Sequence, residues 1–162
     1  MRTLCLAIAF CSALLSQSAS DKQKAFMAEL QRLQAQAKAA FDGEMAREKS
    51  GDCPNAETTR AIVDCLGKEI DTATANFKAF SGAIRAIISL EGADAKSREE
   101  QLKEFDEVGA AWDGYRKAQC QAAYDQYKGG TIAPVEAASC QLLLYRSRMR
   151  EMNGLYEGPL RR

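Results

Sequence analysis

From residue 22 onward the apolar side chains return every three or four positions and hardly ever alternate, the signature of amphipathic helices and not of strands. Phe26, Leu30, Leu33, Ala37, Phe41 and Met45 mark a first helix over residues 22–48, ended by Ser50-Gly51-Asp52. Its opposite face carries Gln, Lys and Glu, the composition of a solvated surface. The pattern leaves open whether this helix packs on the rest of the chain or stands off as an arm.

A second helix is expected from Thr59 to Leu90, with Thr58 as its N-cap and the stripe Ile62, Leu66, Ile70, Ala73, Phe77, Phe80, Ile84 and Ile88. The polar run Glu91 to Ser97 makes the next turn. A third helix from Arg98 to about Lys128 places Leu102, Phe105, Val108, Trp112, Tyr115, Gln119, Ala123 and Tyr127 on one face, and Gly129-Gly130 stops it. Pro134 opens the fourth, because its missing N–H would be unpaired in a first turn anyway. Val135, Ala138, Leu142, Tyr145, Met149, Met152 and Tyr156 follow at helical spacing. The fold expected is all-α, a small antiparallel bundle of three to four helices.

The ends add a compartment. Arg2, the apolar run Thr3 to Leu15, and small residues at Ser18 and Ser20 read as a secretory signal over residues 1–20, cleaved before Asp21. The apolar core is shorter than the ~20 residues needed to span a bilayer, so no transmembrane segment is expected. The expected location is periplasmic or secreted. Residues 21–50 then form an N-terminal helical extension, 52–158 the main domain and 159–162 a basic tail. Losing residues 1–20 removes one Arg and no acid, leaving 21 basic against 22 acidic residues, a net charge of −1. That balance gives no general attraction to nucleic acid.

Cleavage leaves Cys53, Cys65, Cys120 and Cys140, an even count that reads as two disulfides in an exported chain. A zinc site is disfavoured because there is no Cys-x-x-Cys pair and no histidine. The missing histidine also removes the usual nucleophile–histidine arrangements, and no cofactor is implied. The short link GGTIA makes helices three and four an antiparallel hairpin, with Cys120 and Cys140 roughly 13 Å and 9 Å from its tip. Pairing 53–65 with 120–140 is the first choice, and crossed pairings stay open.

Three segments together carry a resemblance: DCPNAETTRAIVDCL (52–66), AAWDGYRKAQC (110–120) and GGTIAPVEAASCQLLLYRSR (129–148). Their order and spacing resemble the LprI-type lysozyme-inhibitor family of small exported bacterial domains. Trp112, Tyr115, Arg116, Gly129, Gly130 and Arg146 stand at its signature positions. Where the family usually has Leu-Asn-x-x-Tyr, this chain has Ala75-Asn76-Phe77-Lys78-Ala79-Phe80. The resemblance implies a non-catalytic envelope protein whose partner is a lysozyme-type muramidase.

The residues themselves permit several roles. Trp112, Tyr115 and Arg116 read chiefly as packing between helices, with Asp64, Glu69 or Asp71 as partners for the guanidinium, and Arg146 near the same network. The hairpin tip, with Thr131, Ile132 and Glu136, is the candidate target-binding element, preorganised by a disulfide at its base. An acidic segment, Asp52, Glu57, Asp64, Glu69 and Asp71, offers local attraction to a basic enzyme. Scattered exposed acids do not make the paired carboxylates of a glycosidase, so no enzymatic activity is expected. The alternatives are an envelope assembly module working through the first helix, or an immunity protein against a wall-cleaving toxin. The sequence does not set the oligomeric state.

Overall fold

In a computed structural model of the chain, four helices follow one another: α1 (Leu4–Ser50), α2 (Thr59–Glu91), α3 (Ala95–Gln126) and α4 (Ala133–Leu155). The structure describes residues 4–92 and 94–156, with side chains from residue 20 onward. The all-α expectation holds, with no strand among the described residues. The leader expected over 1–20 lies partly, and the basic tail 159–162 wholly, outside this set. α1 starts well before residue 22 and runs without a break to Ser50.

The helix ends follow local chemistry. Gly51 takes φ +83° and donates its N–H to Glu48 O at 3.0 Å, the left-handed stop that glycine makes without steric penalty. Thr58 Oγ1 accepts the Ala61 N–H at 3.2 Å, and Asp94 Oδ1 accepts the Ser97 N–H at 2.9 Å. Each such cap is worth ~1 kcal/mol. α4 has Pro134 in its first turn and no side-chain cap at Ile132.

α1, α2 and α4 share one continuous core. Ala37 and Ala40 of α1, Phe80, Ala83 and Ile84 of α2, and Met149 and Met152 of α4 pack together at its centre. Leu30 and Leu33 pack on Ile87 toward one end. Leu66, Ala73, Ala138, Leu142 and Tyr145 pack toward the other. Full burial of a side chain such as Phe80 or Ile84 contributes roughly 1.5–3 kcal/mol. The first helix is therefore part of the body and not a loose arm.

α3 departs from expectation. Its buried residues are Arg116 and Cys120 alone, with Phe105 and Trp112 partly buried. Val108, Tyr115 and Tyr127 are exposed at 51%, 54% and 41%. The face drawn through Val108, Tyr115 and Gln119 is thus corrected to one through Phe105, Trp112, Arg116 and Cys120. Neighbouring residues on a helix point about 100° apart, so burying Arg116 turns Tyr115 to solvent. The most apolar choice of stripe was the wrong one here.

Both disulfides adopt the first-choice pairing. Cys53 and Cys65 are joined with Cα atoms 5.9 Å apart, and Cys120 and Cys140 with Cα atoms 5.4 Å apart. All four sulfurs are committed, which removes the thiolate zinc site.

Candidate functional site

The hairpin tip is built by its glycines. Gly129 takes φ +90°, a region that L side chains avoid, and Gly130 N–H donates to Tyr127 O at 2.9 Å. The chain then turns into α4 with Ala133 buried and Thr131 and Ile132 exposed. Glu136, half-buried, lies in the first turn of α4, where a carboxylate is favoured by the helix dipole. Leu143, which sequence reasoning did not single out, follows two turns after Glu136 and shares its face. It is 60% exposed, and Ile132 47%. Ile132 and Glu136 thus lie within the element that the Cys120–Cys140 bond ties at its base, and Leu143 lies just beyond that bond.

Behind the tip sits the stretch from Trp112 to Cys120. Trp112 stacks on Phe77 with ring centres 4.9 Å apart and meets Tyr145 at 5.6 Å. The Arg116 guanidinium lies 4.8 Å above the Tyr145 ring and donates to Asp113 Oδ1 at 2.8 Å and Gln141 Oε1 at 2.9 Å. Hydrogen bonds from Lys117 and Arg116 hold the Asp113 carboxyl below the usual carboxylate range. The partners expected on α2, Asp64, Glu69 and Asp71, are not used. Asp113 is one turn away on the same helix, and Glu69 is taken by Arg47.

Arg146 does not join Arg116 either. It is 4% exposed and donates from Nε to Glu44 at 2.9 Å and through both terminal nitrogens to Asp52 at 2.6 and 2.7 Å. The Asp52 hydrogen bond raises its pKa above the usual arginine value, against the opposing effect of burial. Asn76 donates to the other Glu44 oxygen at 2.9 Å, and Arg47 Nε stands 3.6 Å from it. Glu44 itself is wholly buried. Leu33, Ala37, Ala40 and Glu44 continue one stripe along α1, and Glu44 is the one carboxylate on it.

The acidic segment contracts accordingly. Asp52 is bound by Arg146 and Glu69 by Arg47, leaving Glu57, Asp64 and Asp71 exposed. Cys53 and Ile62 pack in one cluster with Val135, so these acids and the hairpin tip lie at the same end of the bundle.

Similarity to known proteins fits this geometry. The model of a family described as lysozyme inhibitor LprI matches residues 50–152, well over half of the chain. The chain belongs to the LprI family. No curated protein and no solved structure matches it. Within the LprI match lie both disulfides, the tip, the Trp112–Arg116 pair and Arg146, while Glu44 lies outside it. Asn76 and Arg146, both inside the match, converge on this carboxylate beyond it. No described helix is long and apolar enough to cross a membrane.

Proposed function

We propose that the protein is exported to the cell envelope and inhibits a lysozyme-type peptidoglycan hydrolase stoichiometrically, without catalysis. The observation that carries this reading is the tip of the α3–α4 hairpin, where exposed Thr131 and Ile132 stand one turn from the Glu136 carboxylate, with exposed Leu143 two turns further along α4. Membership of the LprI family supports the class of target. The tip is preorganised by its glycine turn and the Cys120–Cys140 bond, so little ordering entropy is lost when it enters a cleft. Glu57, Asp64 and Asp71 at the same end offer electrostatic complementarity to a basic enzyme. Two disulfides suit an oxidising compartment.

The assembly alternative loses its main support. The apolar stripe of α1 that would pair with another helix is used inside the molecule, at Leu30, Leu33, Ala37 and Ala40.

The test is a titration of the oxidised protein against muramidases acting on cell walls, beside the variant carrying Thr131→Ser, Ile132→Ser and Glu136→Gln. The wild type is expected to inhibit at near-equimolar ratio. The variant should lose about tenfold or more in affinity, as truncation of an interface anchor does. A folded wild type that leaves every muramidase active at micromolar excess overturns the inhibitor reading. Undiminished inhibition by the variant overturns the tip.

A further inference from the structure

A second feature lies away from the tip. Between α2, α3 and α4 runs a cleft of about 450 Å³, walled chiefly by Phe77, Phe105, Trp112, Tyr145, Met152 and Tyr156. Thr74 to Ser81 on α2, Glu104 to Asp113 on α3, and Tyr145 to Leu155 on α4 with its C-cap Tyr156 run alongside it. At 1.5 Å per residue it is elongated, roughly 10–15 Å along the helices. Its size falls in the range of small-molecule sites, roughly 300–1,000 Å³.

Gly109 explains why the cleft is open. It lines the cleft on α3, between Phe105 and Trp112, and a Cβ built on it would meet no atom within 4 Å. Its φ is not positive. Neither backbone strain nor close approach calls for glycine there, and glycine weakens a helix interior. Its consequence is to leave space where a side chain would fill the gap under α3.

The charges around the cleft are mostly committed. Asp106 is held by Arg85 through two hydrogen bonds of 2.8 Å, and Asp113 by Arg116 and Lys117. Glu104 is the remaining acid on the lining. Against it stand two cations, Lys78 on α2 and Arg148 on α4. Arg148 shares Glu151 at 3.1 Å, and Lys78 makes no ion pair among the described residues. The lining thus combines a long apolar wall with a cation on each of two helices.

We propose that this cleft binds a single-chain amphiphile with an anionic head, its hydrocarbon chain lying between α3 and the aromatic wall and its head held by Lys78 and Arg148. A free fatty acid and a lysophospholipid share that chemistry. The inference is independent of muramidase inhibition.

Trp112 is the chain's only tryptophan and lines the cleft, so its fluorescence reports occupancy directly. Dodecanoate, added below its micelle-forming concentration, is expected to change that fluorescence saturably at one molecule per chain, with calorimetry giving the same stoichiometry. Lauroyl lysophosphatidylglycerol, run in parallel, distinguishes a lipid source from a free acid by which binds tighter. Gly109→Leu fills the cleft and should abolish the response while keeping the circular dichroism of the wild type and a melting point no lower. Lys78→Gln with Arg148→Gln should weaken dodecanoate about tenfold, the scale of a lost charge-assisted contact, and leave binding of neutral dodecyl maltoside unchanged. No saturable binding by calorimetry overturns the proposal without recourse to any variant. So does an undiminished response in folded Gly109→Leu. Equal affinity for dodecanoate and dodecyl maltoside overturns the anionic head.

Discussion

α1 and α3 both flank the α2–α4 pair, yet they are attached by different physics. α1 buries Leu30, Leu33, Ala37 and Ala40 and seals Glu44 beneath them. α3 buries only Arg116 and Cys120, one held by polar contacts and the other by a covalent bond. The helix outside the family match is core, and α3, inside it, is fastened chiefly at points. A family match can therefore cover fasteners while part of the hydrophobic interior lies beyond it. Point attachment also leaves room beneath α3 for a cleft that a tightly packed helix would close.

The largest expected effect tests the α1 side. Arg146→Ala leaves Glu44 buried without its main counter-charge and should destabilise by about 3–5 kcal/mol in urea unfolding. Arg116→Ala should cost less, about 1–3 kcal/mol, because its partner Asp113 can turn to water. Equal losses would erase the distinction between the helices. For the same reason, deleting residues 21–50 is expected to unfold the body, read as loss of the cooperative melting transition.

An intermediate effect is expected on the α3 side. Replacing Cys120 and Cys140 together by Ser should cost about 2–4 kcal/mol. Amide exchange should then rise along α3 well before it rises along α1. Uniform exchange across the molecule would show that α3 is held by packing after all.

The smallest effect is a pH dependence. Asp113, through Lys117 and Arg116, and Asp106, through Arg85, both titrate below the usual carboxylate range in the folded state. The stability they add is present above the unfolded Asp pKa of ~3.9 and is lost as pH falls through the lower folded values. Both are solvated, so a small fall in melting temperature below about pH 4 is expected, reduced further in Asp106→Asn. A melting temperature rising with acid would contradict these pairs.

Much of the fold was legible because α2 and α4 bury what periodicity says they should, from Leu66 to Ile84 and from Ala138 to Met152. Thr58 and Gly51 followed from local chemistry, while the cysteine pairing was a first choice among three that the structure decides. The polar interior was not legible. Arg146 and Glu44 are separated by 102 positions, and nothing local announces that a carboxylate on the α1 stripe is buried. α3 misled for a related reason: two of its inward positions are Arg116 and Cys120, while Tyr115 and Tyr127 point out. The exposure of Thr131 and Ile132 follows from the turn, whereas that of Leu143 depends on where α4 sits.

The Glu44–Arg146 pair also imposes an order on assembly. A chain made from its amino end presents the buried carboxylate early and its cation almost last. Until α4 arrives, Glu44 has only Asn76 and Arg47 to compensate it. A chain truncated before residue 146 therefore closes over that carboxylate without its buried guanidinium partner.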